Sequence, residues 1–302
     1  MAEITAKMVQ ELREKTGAGM MDCKKALNET SGDMEKAIEH LRKQGMASAG
    51  KKAGRLASEG LVEVAVEGPV AAIVEVNSET DFVAKTPDFQ NFVKGVAQHV
   101  ARQKPASLEA LLQQTPQGAS SNYETLTKEL VAKIGENISI RRFSVLQAQA
   151  NEKFGAYLHM GSKIGSLVKV QGDTGKLNDE LLKDLAMHVA AAAPRFVHRE
   201  QIPEDVKAKE REIYLAQLAE SGKPKEMLEK IVDGKMGKFA SEVCFQEQPF
   251  IKDSSGKKSV LKHLQESDPA GKVVEFVRFQ VGEGMAKKEE DFAAEVAKQL
   301  GK

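Results

Sequence analysis

Residues 80–84, TDFVA, carry side chains suited to binding a partner. They follow the apolar residues 73–76 and place the carboxylate of Asp81 beside the bare aromatic ring of Phe82. A strand that breaks into polar residues has turned from its core towards solvent, so Phe82 is expected near the surface. The ring is either tucked back onto its own core or held out as an anchor for a partner's pocket. The turn alone favours the first conformation, and the rest of the chain favours the second.

Motifs for catalysis, phosphate binding or metal binding are not found in the sequence. The glycines of residues 17–19 and 282–284 do not complete a phosphate-binding loop. The histidines lack HExxH spacing, and His99 and His188, at matching positions on predicted helices, are interpreted as structural. An enzyme mechanism would have to use scattered carboxylates that no motif singles out. The sequence therefore predicts a protein that is not an enzyme and has no cofactor and no metal site.

The composition narrows the class of partner. The 302 residues include 44 basic and 44 acidic side chains, and only 5% are aromatic. This balance gives no electrostatic footprint for nucleic acid or an anionic membrane, so a protein or a neutral ligand is the expected partner. Two distant cysteines indicate neither a disulfide framework nor a thiolate metal site. With no signal peptide and no long apolar run, the expected location is the cytoplasm.

Residues 4–45 are predicted to form three short helices in a small bundle. Thr5, Asp22 and Asp33 are suited to cap their N-termini, and Gly17 is suited to end the first of them. The third helix has one apolar stripe, at Met34, Ala37, Ile38 and Leu41.

Two features of this region are open to more than one interpretation. Residues 47–57, rich in Ala, Gly and Lys, are read as a solvated linker in preference to an RNA contact. Met20 and Met21 lie in the predicted loop between the first two helices. They are either part of the bundle core or an adaptable contact surface.

The remainder of the chain contains a repeat. Residues 61–76 have the pattern of a β-hairpin and are followed by a helix from Pro87. Residues 157–170 repeat the pattern and are also followed by a helix, with AQHVA in the first helix matched by AMHVA in the second. Each repeat closes on a similar strand, at residues 142–145 and 278–281. Two related α+β units are the simplest interpretation.

The second repeat carries an insertion at about residues 200–240, predicted to be a projecting helical hairpin with its turn at residues 220–224. A last helix is predicted after Gly284, and docking on its own domain is favoured over a partner surface; its apolar side comprises Met285, Phe292, Val296 and Leu300. The predicted fold class is α+β, with an N-terminal three-helix bundle, a duplicated α+β core, the inserted hairpin and a C-terminal helix.

Two long motifs carry a resemblance to a known family. Residues 12–27, LREKTGAGMMDCKKAL, and residues 75–84, EVNSETDFVA, resemble signatures of bacterial translation elongation factor Ts. Ser78 is a departure, because the family usually has Cys there. The similarity covers essentially the whole chain and includes residues 131–138, 157–159, 222–226, 248–250 and 281–284.

The resemblance implies guanine-nucleotide exchange on elongation factor Tu, in its GDP-bound and nucleotide-free states. It implies no direct contact with nucleic acid or membrane, and one arrangement to consider is a 2:2 heterotetramer. It also implies domains: a ubiquitin-associated-like bundle and linker in residues 1–54, core units in residues 55–146 and 147–281, and a C-terminal helical module in residues 282–302.

The resemblance further implies roles for individual residues. Those that enter the partner near its Mg²⁺ site would be Thr80, Asp81, Phe82 and Val83. The contact of the bundle with the GTP-binding domain would use Arg13, Met20, Met21 and Lys24. Support for that contact would come from Ile134 and His159, and the contact with a second domain of the partner from Phe250 and Ile251. Lys252 is polar where the family commonly has Met.

Two other classes of function compete with exchange. A passive adaptor would bind a protein through the bundle without releasing nucleotide. An RNA-binding translation protein is disfavoured by the balanced charge. Release of labelled GDP distinguishes the adaptor from the exchange factor.

Overall fold

The computed structural model describes residues 4–218 and 224–286. They divide into two compact units. Unit 1 comprises residues 4–63, 74–143 and 280–286, and unit 2 comprises residues 64–73, 144–218 and 224–279. Helices are combined with small sheets, so the predicted α+β class is confirmed. The domain boundaries drawn from the sequence stay predictions.

Unit 1 begins with three helices, α1 (Ala6–Thr16), α2 (Met20–Glu29) and α3 (Met34–Lys52). Three of the predicted caps are confirmed. Thr5 Oγ1 accepts from the Met8 amide at 3.3 Å, Asp33 Oδ1 accepts from the Lys36 amide at 3.0 Å, and Gly17 ends α1 at φ 69°. The helices share a buried cluster of Val9, Leu12, Cys23, Ala26, Leu27 and Ala37.

Three expectations for these helices are wrong. Asp22 does not cap α2, because Gly19 is the N-cap residue and Asp22 lies in the first turn, where a carboxylate favours the helix dipole. Met20 and Met21 therefore begin α2 and do not form a loop. The linker prediction fails for residues 47–52, which continue α3 because Ala and Lys are strong helix formers.

Helix α3 lies against α7 (Tyr123–Ile134) in the same unit. Arg42 joins them, with its Nε 2.7 Å from Glu129 Oε1 and its Nη2 donating to Ser121 Oγ at 2.6 Å. A Cβ added to Gly45 would lie 2.6 Å from the Cβ of Ala132, closer than two non-bonded carbon atoms can approach. The absence of a side chain at Gly45 thus permits the two helices to pack this closely.

This packing predicts opposite effects for two glycines of α3. Gly50→Ala adds a methyl group that meets no described atom within 4 Å beyond the adjacent residues and backbone of its own helix, so the helix should gain about 0.5–1 kcal/mol of stability. Gly45→Ala brings the same propensity gain but forces the methyl against Ala132, which costs about 1–3 kcal/mol. Urea denaturation should therefore show a higher midpoint for Gly50→Ala and a lower one for Gly45→Ala. Equal increases in both variants would contradict the close approach of α3 to α7.

Two three-stranded sheets have the same strand order, as an internal repeat predicts. The first contains β1 (Glu59–Glu67), β2 (Val70–Ser78) and β3 (Ile138–Gln147), in the order β1-β2-β3. The second contains β4 (Glu152–His159), β5 (Ile164–Gln171) and β6 (Lys272–Gln280), in the order β4-β5-β6. Strands β4 and β5 are antiparallel, from Glu152 opposite Gln171 to His159 opposite Ile164.

A long helix follows the first two strands of each sheet, α5 (Pro87–Gln103) and α8 (Asp179–Ala192). Two shorter helices flank α5 in the sequence: α4 (Asp81–Ala84) precedes it and α6 (Leu108–Gln113) follows it. The histidines at matching positions are structural, as predicted. His99 Nε2 lies 2.8 Å from Gln114 Oε1, and His188 Nε2 lies 3.0 Å from Gln248 Oε1.

Unit 2 also contains α9 (Glu204–Leu218), α10 (Lys225–Val243) and α11 (Val260–Ser267). Helices α9 and α10 lie where the sequence predicts the helical hairpin, and Arg211 of α9 pairs with Glu229 and Asp233 of α10. Most of the predicted turn and most of the helix predicted after Gly284 lie outside the described residues. Across those residues, no helix combines the length and the apolar character needed to cross a membrane.

Candidate partner-binding loop and surfaces

The TDFVA segment forms a single exposed turn at the end of β2. Thr80 caps α4, and its Oγ1 accepts from the Val83 amide at 3.4 Å. Val83 and Ala84 point into the core, whereas Phe82 is 76% exposed. The surface position predicted for Phe82 is confirmed, and the tucked conformation is wrong, because the buried positions of this short helix are occupied by the next two residues.

An exposed cation accompanies the exposed ring. Lys85 Nζ lies 2.6 Å from Asp81 Oδ2 and 5.5 Å from the centroid of the Phe82 ring. Exposed ion pairs of this kind contribute about 0–1 kcal/mol. The Asp81 carboxylate can therefore exchange Lys85 for a donor on a partner at little cost.

The backbone on both sides of the loop is held by side chains. Glu136 accepts hydrogen bonds from the Thr80 amide at 3.0 Å and from Thr80 Oγ1 at 2.8 Å. Glu79 in turn accepts from the Asn137 amide at 2.6 Å. Ser78, fully buried, donates to the Thr80 carbonyl at 2.9 Å, so its hydroxyl adds a further hydrogen bond at the base of the loop. The exposed residues of the loop are therefore flanked by backbone that hydrogen bonds hold in place.

Strand β2, which leads into this loop, contains a buried charge. Glu75 has no exposed surface. Its carboxylate lies 2.8 Å from Arg141 Nη1 and 2.6 Å from Arg142 Nε, and it accepts from the Gly282 amide at 2.9 Å and from Asn77 Nδ2 at 3.2 Å. Burial of an ionised carboxylate is costly unless ion pairs and hydrogen bonds of this kind compensate for the lost water. Sequence reasoning missed this network, although a Glu inside an apolar strand and an Arg-Arg pair in another strand were the signal for it.

The residues predicted on the N-terminal helices are at the surface. Arg13 lies on α1, and Met20, Met21 and Lys24 lie on α2, all with exposed side chains. Met21 is 75% exposed, so it does not belong to the core shared by the helices. Ile134, the last residue of α7, is half-buried.

In unit 2, His159 is an exposed residue at the end of β4. Its ring stacks on Tyr157 with centroids 5.7 Å apart, and its Nδ1 lies 3.0 Å from the Tyr157 hydroxyl. Met160, in the turn that follows, is 70% exposed and has φ 52°. The strand end therefore presents an imidazole and a thioether side by side in sequence.

Phe250, which the resemblance places in the contact with a second domain of the partner, is buried in the free protein. Its side chain is 4% exposed and stacks on His263 with ring centroids 3.9 Å apart, within the core of unit 2. Its neighbour Ile251 is 49% exposed, and the Ile251 amide donates to His188 Nδ1 at 3.2 Å.

Burial lowers the pKa of His188, which favours the neutral ring that this hydrogen bond requires. Next to Ile251 in sequence, Lys252 reaches Asp184 Oδ1 at 2.5 Å. This partner raises the pKa of Lys252, so the lysine stays charged and holds the segment to α8.

One comparison with known proteins bears on this arrangement. A family model described as Elongation factor TS matches residues 79–283, about two thirds of the chain. The match begins one residue before Thr80 and ends at Glu283. Its last residues include Gly282, whose amide donates to Glu75. It therefore includes the exposed turn, its support at Glu136 and the second sheet. The chain belongs to the elongation factor Ts family of translation elongation factors.

Proposed function

We propose that this protein promotes the release of GDP from translation elongation factor Tu by inserting the loop of residues 80–83 beside the partner's Mg²⁺ site. The observation that carries the proposal is the exposed Phe82, set next to Asp81 on a braced turn in a chain of the elongation factor Ts family. The proposed partner is bound in its GDP-bound and nucleotide-free states, in the cytoplasm.

Nucleotide binding by the partner depends strongly on the position of its Mg²⁺. Mg²⁺ needs nearly ideal octahedral geometry and joins the phosphates of the nucleotide to the protein. A ring inserted near it displaces the surrounding groups, and Asp81 engages donors or repels the phosphates and the ligands of the metal. Phe82 is the wedge in this mechanism, and the core position of Val83 keeps the wedge in place.

The loop alone cannot supply the differential binding free energy that is needed to displace GDP. Burying one Phe yields about 1.5–3 kcal/mol, whereas moving an equilibrium from 1:99 to 99:1 needs about 5.5 kcal/mol of differential affinity. The remaining binding energy is proposed to come from the N-terminal helices, as a ubiquitin-associated-like bundle that contacts the GTP-binding domain through Arg13, Met20, Met21 and Lys24. Further contacts are assigned to Ile134, His159 and Ile251. By reciprocity, returning nucleotide expels the exchange factor.

The test is release of fluorescent GDP from elongation factor Tu in the presence of excess unlabelled GDP. We expect the purified protein to accelerate release at concentrations below that of the partner, because each molecule acts repeatedly. Light scattering of the mixture would determine whether a 2:2 heterotetramer forms. A complex that forms without faster release would support the passive adaptor and contradict the exchange function.

A further inference from the structure

Two residues between α7 and β3 hold the proposed exchange loop from outside. Both oxygens of the Glu136 carboxylate are used, one by the Thr80 amide at 3.0 Å and the other by the Thr80 hydroxyl at 2.8 Å. Hydrogen bonds to an ionised carboxylate are roughly twice as strong as those between neutral groups. Because β2 and β3 are neighbours in the sheet, these contacts continue the strand pairing through side chains after β2 has ended.

The contacts are reciprocal and extend to a third segment. The Asn137 amide donates to Glu79 Oε1 at 2.6 Å. Glu79 therefore accepts from Asn137, just as Glu136 accepts from Thr80. Asn137 Nδ2 donates to the Arg55 carbonyl at 2.7 Å and also reaches the Ala53 carbonyl at 3.4 Å. The same two residues thus hold the exchange loop and the chain that leaves α3.

The loop needs such support because α4 has only four residues. A helix of one turn is far below the length at which isolated helices are stable in water. Thr80 Oγ1 donates its hydrogen to Glu136 and accepts from the Val83 amide, so the orientation of the hydroxyl is fixed. Removing Glu136 would leave the N-cap of α4 without this restraint.

We propose that Glu136, assisted by Asn137, is a positioning residue for nucleotide exchange: it orders the loop in the free protein so that Phe82 is presented before the partner arrives. This inference rests on the proposed exchange function. Glu136 acts through Thr80, and its effect is to lower the conformational entropy that the loop would otherwise lose when it enters beside the partner's Mg²⁺ site, a step that follows binding through the other surfaces.

The experiment compares Glu136→Ala, Glu136→Gln and the control Glu109→Ala, an exposed residue of α6 in the same unit. In the free protein, hydrogen–deuterium exchange of the peptide covering residues 79–85 should be about 10-fold faster in Glu136→Ala and unchanged in the control. In the GDP-release assay, Glu136→Ala should lower the maximal rate about 10-fold and change the half-saturating concentration less than 2-fold. Glu136→Gln, which keeps one acceptor oxygen, should recover part of both losses.

Unchanged protection of residues 79–85 in Glu136→Ala would overturn the proposal, and so would lost protection with an undiminished maximal rate. If Glu136→Ala fails to give a cooperative melt, Thr80→Val replaces it, with Thr80→Ser as the variant that restores the hydroxyl. A wild-type protein that does not accelerate GDP release overturns the exchange function itself. The hydrogen-exchange result still decides in that case whether Glu136 orders the loop.

Discussion

Phe82→Ala is expected to lower the maximal rate of GDP release from elongation factor Tu by about 10- to 100-fold. The lost burial of the ring, about 1.5–3 kcal/mol, corresponds to this range at 1.4 kcal/mol per factor of ten. Because the ring is 76% exposed in the free protein, the melting temperature should not change measurably. The affinity of the complex should be largely retained, since the other surfaces supply most of it.

The matched control is Met227→Ala, which truncates another apolar side chain, 50% exposed, on α10. It should leave release and affinity unchanged. Asp81→Ala should have a smaller effect than Phe82→Ala, because it removes an exposed ion pair and no buried area on binding. An equal loss of affinity and of maximal rate in Phe82→Ala would contradict the division of labour between the wedge and the binding surfaces.

Glu75→Ala is expected to be the most destabilising substitution of a single charged residue in unit 1. It leaves Arg141 and Arg142 without the carboxylate that they share and the Gly282 amide without its acceptor, whereas Asn77 Nδ2 keeps the Glu59 carbonyl at 3.0 Å. Removing one partner of a buried ion pair costs about 3–5 kcal/mol, which corresponds to a melting temperature lower by about 10 °C in a protein of this size.

Calorimetry of Glu75→Ala beside Glu109→Ala would test this. Arg141→Ala should cost less, because Arg142 still pairs with Glu75. A melting temperature of Glu75→Ala within 2 °C of the wild type would show that the buried network contributes little to stability.

Regular elements were predictable because their signals are local. A cap such as Asp33 and an apolar stripe such as that around Ala37 are set by residues within one or two turns of each other. The exposure of Phe82 followed from the polar residues before it. The wrong N-cap prediction at Asp22 also has a local cause. Gly19 and Asp22 are both suited to the N-cap position, and the sequence does not show which of them begins the helix.

Tertiary contacts decided what the sequence could not. Phe250 and Ile251 are adjacent apolar residues, and the packing of His188 and His263 against the first determines which of them is buried. Residues 47–52 have no apolar face, yet they continue a helix that is anchored earlier by its contact with α7. Glu136 looks like an ordinary polar residue of a turn, and its role becomes visible only when β3 lies beside β2.

The hydrogen bond between Gly282 and Glu75 has a consequence for biosynthesis. The two residues are 207 positions apart, so the ribosome has made β2 and both arginines of the network long before this last donor exists. Contacts of such sequence separation form late and slowly. A nascent chain that ends before residue 280 keeps a buried carboxylate with one acceptor site open, and unit 1 can complete its packing only after Gly282 has been made.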